Sequence, residues 1–268
     1  MLFRSSIIAE KTVEMYKNLK KNSNKVKDGI SLNKKEYKEV VYKWIETEKE
    51  KTCSRDSQER YEKTHKRRFS ILSQYITKNF PDKQLKILDV GRSHFTKSLL
   101  KYYENVSTIG FAPDYDEGGH RLLDQITCKH LTFDLKQAKN VEIWPEEKFD
   151  LIIFAEVIEH LSEAPEFALL MFHSLLNENG HLLCTTPNAA ALFRRYKLYF
   201  GNQPYSKIRY FSNNPGHYRE YTKRELYEMG AKCGFKTVYH KFVMFHKHTQ
   251  SIKAIILDFF SSIIPAFK

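Results

Sequence analysis

Residues 149–161 read FDLIIFAEVIEHL, and this stretch decides the predicted fold. The apolar run 151–155 is typical of a central strand that helices cover on both faces of a parallel sheet. Three ionisable residues, Glu156, Glu159 and His160, follow it within five positions. Because ligands of open α/β sheets bind at the carboxyl ends of the strands, we expect these side chains to face a cleft.

The composition indicates a globular, strongly basic protein. The 268 residues are 41% hydrophobic and carry a formal net charge of +12, with a sequence pI near 9.3. This charge suits an anionic partner such as nucleic acid, a phosphorylated substrate or a membrane surface, but lysines spread along the chain are also typical of a lysine-rich proteome. Four widely separated cysteines predict reduced thiols and a cytoplasmic protein. No early apolar stretch has the length expected of a signal peptide or membrane span.

Two sequence patterns divide the chain. Residues 1–80 carry apolar stripes among many charges, which predicts a helical N-terminal extension or cap. Residues 81–250 alternate short apolar runs with helical patches, which predicts an α/β domain with a mostly parallel sheet and helices on both faces. Within that domain, residues 187–221 form an insert rich in aromatics and arginine after the fifth strand, and they are a candidate lid or acceptor platform.

The α/β pattern predicts six strands and four helices. The strands are expected at about 86–91, 106–111, 128–133, 150–156, 180–186 and 235–245, and the helices at 96–104, 117–126, 163–177 and 222–233. The tail 251–268 places apolar residues at three- and four-residue steps, which predicts an amphipathic helix that is buried on the sheet or a partner chain, or docks shallowly on a membrane. No seventh strand is predicted, so the sheet would have an open edge that the tail or a second subunit covers.

The segment 86–100, KILDVGRSHFTKSLL, predicts a strand, a turn at Gly91 and a helix. Nucleotide-like ligands bind at this first strand-to-helix crossover in doubly wound folds. A glycine in the turn lets the backbone approach a ligand closely. Ser93 and Phe95 occupy the positions where a glycine-rich loop would repeat its glycines.

The ends of the second and third strands are further candidate contacts of a nucleoside. An acid at the end of the second strand commonly accepts both hydroxyls of a ribose, but Ala112 stands at that position and Asp114 follows shortly after. Asp114 could reach back to a ribose or be a plain loop residue. The third strand ends at Asp134, whose carboxylate could accept a hydrogen bond from the amino group of an adenine.

The order of these motifs resembles that of the class I S-adenosylmethionine-dependent methyltransferases. LDVG, FD, FDLIIFAEVIEHL, TTPN, HYREYTKREL and AKCGF follow one another over about residues 85–245. The resemblance implies a Rossmann-like sheet that binds S-adenosylmethionine. The cofactor-binding residues that it implies are Asp89, Gly91, Arg92, Ser93, Asp114, Asp134, Leu135, Ala155 and Glu156.

Four residues are the candidate catalytic groups: Glu156, Glu159, His160 and, 57 positions further on, His217. In such a reaction the sulfonium already activates the methyl group, so the protein mainly aligns an acceptor and removes a proton. His160 is the candidate base, because an imidazole with a pKa of about 6.5 suits that task.

The same four residues, Glu156, Glu159, His160 and His217, could also hold a divalent metal ion that orients and acidifies an acceptor hydroxyl. The set is similar to that of the small-RNA 3′-terminal ribose 2′-O-methyltransferases, where it holds magnesium, and of ubiquinone-pathway O-methyltransferases. In the alternative without an ion, Glu159 and His160 only cap and orient the following helix.

The predicted function is O-methylation of a saccharide or another small molecule. Asn188 and the basic aromatic run 194–211 are candidate acceptor contacts, together with His217, Arg219 and Glu220. The aromatic side chains of the run could stack on bases or pack on the core as a lid. The first alternative is metal-dependent ribose 2′-O-methylation of RNA.

A second alternative is a catalytically silent methyltransferase fold that serves as a binding protein. Ser93, Phe95 and Ala112 suggest it, because they depart from the pattern of the cofactor site. A homo-oligomer is also compatible with the sequence. Peripheral membrane contact through the predicted C-terminal helix is a further expectation.

Overall fold

The computed structural model describes residues 33–52, 55–112, 126–209, 216–243 and 262–267. The helices are α1 Lys34–Thr52, α2 Arg55–Asn79, α3 His94–Leu99, α4 Pro165–Leu175, α5 Leu192–Tyr199 and α6 Lys223–Lys232. The strands are β1 Lys86–Val90, β2 Asn105–Gly110, β3 Lys129–Thr132, β4 Phe149–Ala155, β5 Leu176–Pro187, β6 Thr237–Val243 and β7 Ser262–Phe267. Single 3₁₀ turns lie at Leu135–Gln137, Val141–Ile143 and Ile158–His160. The helix predicted over 117–126 falls almost entirely outside the described residues.

The strands form one sheet in the order β3-β2-β1-β4-β5-β7-β6. Strands β1 to β5 pair in parallel, and β4 lies between β1 and β5, as its apolar run predicts. Side chains alternate between the two faces: on β4, Ile152 and Phe154 belong to one buried cluster, and Leu151 and Ile153 to the other. Each such buried side chain contributes about 1.5–3 kcal/mol to folding. The predicted α/β sheet with helices on both faces is confirmed.

The prediction that the sheet lacks a seventh strand is wrong. β7 lies between β5 and β6 and pairs antiparallel with both. The edge of β5 that the six-stranded prediction left open is therefore covered by β7. Pro265 obscured this strand in the sequence, because proline has no N–H and is rare in central strands. The ladder to β5 has no pair at Pro265 and resumes at Ala266.

The predicted C-terminal helix over 251–268 is likewise contradicted at residues 262–267, which are the strand β7. Residues 251–261 lie outside the described part of the chain. Apolar spacing alone cannot separate a short helix from a strand, and pairing with two neighbouring strands satisfies the backbone of β7 on both sides.

The second N-terminal helix, α2, is part of the α/β unit. The chain divides into two compact units between Thr47 and Glu48 rather than at residue 80. Leu72 and Ile76 of α2 are buried in the same cluster as Ile87 of β1. This helix therefore packs on the sheet and brings Arg68 close to Glu156, which follows β4. Among the helices of the described ranges, none is long and apolar enough to cross a membrane.

Candidate active site

The strand order reverses between β1 and β4, since β2 and β3 follow on one side and β5 on the other. A crevice opens at such a switch point, outside the carboxyl ends of the strands, and it is where open α/β folds bind their ligands. The candidate residues from the sequence lie on the loops that leave these strand ends.

The turn after β1 has the geometry of a ligand cradle. Gly91 has φ +88°, and a Cβ built on it would meet no atom within 4 Å. A Cβ built on Gly110, at the end of β2, would lie 3.8 Å from the Gly91 Cα. Two glycines without side chains therefore line this edge of the sheet. Asp89 is buried and accepts a hydrogen bond from Thr96 Oγ1 at 2.6 Å. Burial raises the pKa of Asp89 to about 7, so its carboxylate would gain from a cationic ligand group.

Ser93 and Phe95, which replace the expected glycines, have structural roles. The Ser93 side chain caps α3 by accepting from the Phe95 N–H at 3.1 Å, and its own N–H donates to Thr96 Oγ1 at 3.0 Å. The Phe95 ring is buried in the core and stacks on Phe69 of α2, with 5.8 Å between ring centroids. The departure from a glycine-rich loop therefore fills the core and does not obstruct the turn at Gly91.

A directional hydrogen-bond chain fixes the ends of β2 and β3. His130 Nε2 lies 2.9 Å from the carbonyl of Phe111, which can only accept, so this nitrogen carries the proton. His130 Nδ1 then accepts from the Thr108 hydroxyl at 2.8 Å, and Arg92 Nε donates to the same hydroxyl oxygen at 3.4 Å. Burial lowers the pKa of His130, which favours this neutral form. Arg92 thus braces the edge of the sheet at the ends of β1 and β2, which we call the cofactor edge because the sequence predicts the cofactor there.

Other predicted cofactor residues follow β2 and β3. Asp134 Oδ1 accepts from the Lys136 N–H at 2.9 Å and so caps the 3₁₀ turn that contains Leu135, which leaves its second oxygen for a ligand. Ala112 is half-buried at the place of the expected ribose acid. Asp114 lies outside the described residues. The contacts of Asp134 and Leu135 with an adenine stay a prediction.

Glu156 follows Ala155, the last residue of β4, in the left-handed conformation, with φ 56°. Its N–H donates to the Thr185 carbonyl at 2.8 Å, and its Oε1 accepts from the Thr185 hydroxyl at 2.9 Å. Its Oε2 lies 3.4 Å from Nη1 of Arg68, and both side chains are largely buried. A non-glycine residue in this conformation costs about 1 kcal/mol or more and persists only where its surroundings hold it.

Glu159 is almost fully buried beside the cleft. Its Oε2 accepts from the Thr186 hydroxyl at 3.0 Å, whereas its Oε1 has no hydrogen-bond partner among the described residues. Burial, and next the charge of Glu156, raises the pKa of Glu159 well above its usual value, and Arg68 counteracts this. A buried carboxyl with one unpartnered oxygen is suited to bind a cation or to hold a proton.

His160 and His217 lie edge to face, with 4.7 Å between their ring centroids. His160 Nδ1 lies 2.8 Å from the Gly216 carbonyl and must donate to it, so Nε2 carries the lone pair. His217 Nδ1 lies 2.9 Å from Oε1 of Glu220 and donates to it, so Nε2 of this ring also carries a lone pair. Glu220 also forms an ion pair with Arg194 of α5.

Both imidazoles are held neutral. Burial lowers the pKa of His160, and burial followed by the nearby His160 ring lowers the pKa of His217 to about 4. Glu220 offsets this little, because Arg194 already compensates its charge. Two neutral rings, whose Nε2 atoms are not used by these hydrogen bonds, therefore lie edge to face in this part of the site.

Glu159, His160 and His217 together offer three ligand atoms that all lie within 4.8 Å of one another. Their donor set fits a divalent cation: the two Nδ1 atoms are committed to other partners, both Nε2 atoms keep a lone pair, and Glu159 Oε1 is unpartnered. The structure thus brings together three of the four predicted ligands. Glu156 is not in this set, since its carboxylate pairs with Arg68.

Several residues at the site escaped the sequence analysis. Arg68 lies in the basic string 60–69, which by sequence predicts either a solvated helix face or a contact with a phosphate or carboxylate, and its burial against Glu156 decides its place. Thr185 and Thr186 were read as part of a strand motif, yet their hydroxyls bind the two glutamates.

Two predicted acceptor contacts have other partners. Asn188 caps the following turn through the Ala190 N–H at 3.0 Å. Arg219 pairs with Glu225 of α6 and lies against the ring of Tyr221.

Known proteins share this architecture. A solved structure of an S-adenosylmethionine-dependent methyltransferase from Archaeoglobus fulgidus is 14% identical, with a TM-score of 0.52 over 78% of this chain and 97% of that chain. The N-methyltransferase NodS from Bradyrhizobium japonicum WM9, in complex with S-adenosyl-L-homocysteine, is 14% identical with a TM-score of 0.51, over 83% and 96%. Magnesium protoporphyrin IX methyltransferase from Synechocystis PCC 6803 is 13% identical with a TM-score of 0.50, over 76% and 84%. At these identities the likeness concerns the fold.

The seven-stranded sheet and its crevice define a Rossmann-like, class I methyltransferase fold. A family model described as a methyltransferase domain matches residues 64–240, which is well over half of the chain. The chain therefore belongs to the class I S-adenosylmethionine-dependent methyltransferase family. No curated protein matches it at a significant level.

Proposed function

We propose that this methyltransferase methylates a hydroxyl oxygen of a saccharide or another small molecule, with His160 as the general base. The observation that carries the proposal is the fixed, neutral His160 ring, whose Nδ1–H donates to the Gly216 carbonyl. Its Nε2 lone pair is then free to accept a proton. A hydroxyl needs this help, because it must lose its proton as the methyl group arrives, whereas a neutral amine attacks without prior deprotonation.

The residues of the cofactor edge fit S-adenosylmethionine. The bare backbone at Gly91 and Gly110 leaves room for a bulky ligand, and Asp89 gains from a cationic group. Asp134 retains an acceptor oxygen at the same edge. When bound, the cofactor supplies a methyl group that its sulfonium already activates. The protein aligns the acceptor and handles the proton.

The part of Glu156 is to hold this geometry. It ties the end of β4 to Thr185 of β5 and to Arg68 of α2, so the loop that carries Glu159 and His160 is anchored on three elements. Alignment of reacting groups contributes much of the acceleration in such transfers. A correctly placed general base adds typically about 10²–10⁴-fold.

A groove beside the carboxyl end of β5 has the size of a saccharide or metabolite site, and His160 is not among the residues that line it. It encloses about 690 Å³, and its lining combines Asn188 and Arg195 with the aromatic rings of Tyr227 and Phe242. Small-molecule sites usually have volumes of about 300–1,000 Å³ and a few polar groups among apolar ones. Aromatic faces with adjacent amide and guanidinium donors are typical of carbohydrate contacts.

A second candidate function is metal-dependent ribose 2′-O-methylation of RNA. The specific observation in its favour is the cluster of Glu159, His160 and His217 with free ligand atoms. These residues would hold a divalent ion, which would acidify the acceptor hydroxyl. Two imidazoles and one carboxylate suit a transition metal at least as well as magnesium.

The test begins with calorimetry of S-adenosylmethionine binding to the full chain. We expect binding by the wild type and an unchanged affinity for His160→Gln. A lack of detectable heat at millimolar cofactor would overturn both enzymatic proposals and leave the catalytically silent alternative.

Turnover is then measured with methyl-tritiated cofactor on pools of glycans, small hydroxyl compounds, amines and RNA. We expect His160→Gln to lower kcat by about 10²–10⁴-fold. His181→Gln, at the amino-terminal half of β5, is the matched control and should retain activity. Label found only in N-methyl products, or full activity of His160→Gln, would contradict the proposal.

A chelator arm separates the two candidates. Loss of activity in EDTA with recovery on added divalent ions, together with loss in Glu159→Gln, would support the metal-dependent function. Label transfer to RNA in preference to the other pools would replace the small-molecule proposal by the RNA one. Activity on saccharides that is indifferent to chelator is the result we expect.

A further inference from the structure

Helix α5, in the insert after β5, has its apolar face turned to solvent. Leu192, Phe193, Tyr196, Tyr199 and Phe200 recur at the spacing of one helical stripe, and they are 38–84% exposed. We call these five residues the α5 stripe. An amphipathic helix usually buries its apolar stripe against its own domain. Helix α5 has the inverted orientation, with its apolar stripe exposed and a polar side chain directed inward. The aromatic side chains of α5 therefore do not pack on the core as a lid, whereas Tyr221, later in the insert, does belong to the core.

The inverted orientation is fixed by the polar side of the helix. Arg194 points inward, where it forms an ion pair with Glu220 and lies over the ring of Tyr205 at 5.2 Å. Its side chain is 18% exposed and that of Glu220 is 4% exposed. Because Glu220 also holds His217, the helix is anchored directly to the candidate active site. The inward contacts of Arg194 therefore set the orientation of α5, and the α5 stripe is exposed because of this orientation and not because the helix end frays.

The surroundings of the α5 stripe are predominantly basic, although Glu228 lines the adjoining groove and forms an ion pair with Arg224. Residues 192–209 contain five arginines and lysines and no acidic residue. On α5 itself, Arg195 is exposed and Lys197 is half-buried, with its ammonium 4.5 Å from the centroid of the Phe193 ring. Lys223 and Arg224 at the start of α6 line the same groove as Leu192. An exposed stripe of aromatic and aliphatic side chains flanked by cations is the pattern of helices that lie in the headgroup layer of anionic membranes.

We propose that the α5 stripe docks this methyltransferase on an anionic lipid bilayer surface. Tyr196, Tyr199 and Phe200 would enter the boundary between headgroups and acyl chains, and Arg195 and Lys197 would contact lipid phosphates. The contacts of α5 with the candidate active site, through Arg194 and Glu220, lie on the opposite side of the helix from the bilayer. The vesicle test of this docking does not require that the acceptor is known.

Two other occupants fit the surface less well. Single-stranded RNA would stack on the aromatic rings, but Leu192, Leu198 and Ile208 are also exposed and offer bases no stacking face. A second copy of the chain would bring a basic helix against itself in a symmetric contact. The stripe also extends over only about 12 Å, too little for the roughly 800 Å² per partner of a stable interface.

The experiment is flotation of the full chain with vesicles of phosphatidylcholine, with or without about 30% phosphatidylserine. We expect wild-type binding only to the anionic vesicles, and weaker binding as salt is raised. The variant Tyr196→Ser/Tyr199→Ser/Phe200→Ser should lose at least about tenfold in affinity. Val141→Ser/Ile143→Ser, which changes two exposed apolar residues elsewhere, should bind like the wild type.

A charge variant completes the design. Arg195→Gln/Lys197→Gln should weaken binding about as strongly, since each cation near the surface contributes about 1 kcal/mol, which is about fivefold. The control Lys78→Gln/Lys101→Gln removes two exposed cations elsewhere and should leave binding within about twofold. Cofactor affinity and circular dichroism confirm that all variants are folded.

Four results would overturn the proposal. The first two are absence of wild-type binding to anionic vesicles and full binding by the stripe variant. The third is an equal loss of vesicle affinity in the stripe variant and in the Val141/Ile143 control. The fourth is a dimer that forms without lipid and that dissociates in the stripe variant but in no other variant. Tight binding of a single-stranded RNA oligonucleotide that the stripe variant abolishes, without any vesicle binding, would assign the surface to RNA instead.

Discussion

Replacement of Arg68 by glutamine tests whether this helix residue sustains the active site. Arg68 Nη1 lies 3.4 Å from Glu156 Oε2, and the two side chains are only 9% and 14% exposed. In Arg68→Gln the Glu156 carboxylate stays buried with the Thr185 hydroxyl but without its cation. Breaking a buried ion pair by removing one partner costs about 3–5 kcal/mol. We expect a loss of about 3 kcal/mol in the free energy of unfolding at pH 8.

The loss should depend on pH with a definite sign. Without Arg68, burial disfavours the charged form of the Glu156 carboxylate in the folded protein. The deficit of the variant should therefore be larger at pH 8, where the carboxylate is charged, than at low pH, where protonation removes the charge that Arg68 compensates. Urea denaturation at pH 5 and pH 8 measures both values. The exposed neighbour Arg67 provides the control, and Arg67→Gln should stay within about 0.5 kcal/mol of the wild type.

A double-mutant cycle with Glu156→Gln isolates the pair. With the carboxylate already neutral, removal of Arg68 should cost at least about 2 kcal/mol less than in the wild type at pH 8. An Arg68→Gln deficit equal at pH 5 and pH 8, or undiminished in the Glu156→Gln background, would refute charge pairing as the role of Arg68. Arg68→Lys should recover part of the loss, because it restores the charge with a shorter reach.

Three further predictions follow from the structure. Burial raises the pKa of Asp89 to about 7, so the cofactor-free protein should lose stability as pH rises from about 4 to 7. The loss should reach up to about 4 kcal/mol, because the pKa lies about three above its ordinary value. Asp89→Asn should remove this part of the pH dependence in thermal unfolding, and an unchanged pH dependence would contradict the raised pKa of Asp89. Phe95→Gly, which restores a glycine of the family pattern, should lower the free energy of unfolding in urea by about 3–5 kcal/mol, because the ring fills the core, and tighter cofactor binding without a loss of stability would count against it. Deletion of residues 262–268 should expose the paired sides of β5 and β6 and cause aggregation in size-exclusion chromatography, whereas a stable monomer would show that β7 is dispensable.

The sequence predicted the α/β class and the central position of β4 because these depend on local patterns. An apolar run such as 151–155 is incompatible with a solvated face, and the following ionisable residues must leave the strand at its carboxyl end. The end of α6 at Lys232 agrees with the helix predicted over 222–233, and Gly234, with φ +89°, follows shortly after it. Site residues adjacent in sequence to these signals, such as Glu159 and His160, were found with them.

Tertiary structure decided what depends on partners far apart in the chain. β7 is a strand because β5 and β6 offer hydrogen bonds on both of its sides, although Pro265 argues against a strand locally. Arg68 belongs to the site because α2 packs its apolar residues on the sheet and carries the guanidinium to Glu156.

The division of the four predicted ligands was decided in the same way. The composition of the motif treats Glu156 and Glu159 alike, yet one is neutralised by a distant arginine and the other is left with a free oxygen beside two imidazoles. The motif FDLIIFAEVIEHL by itself determined that acids and an imidazole reach the crevice. Which of them could share a cation followed only from the packing, since burial and long-range charge set the free energy of each ionised form.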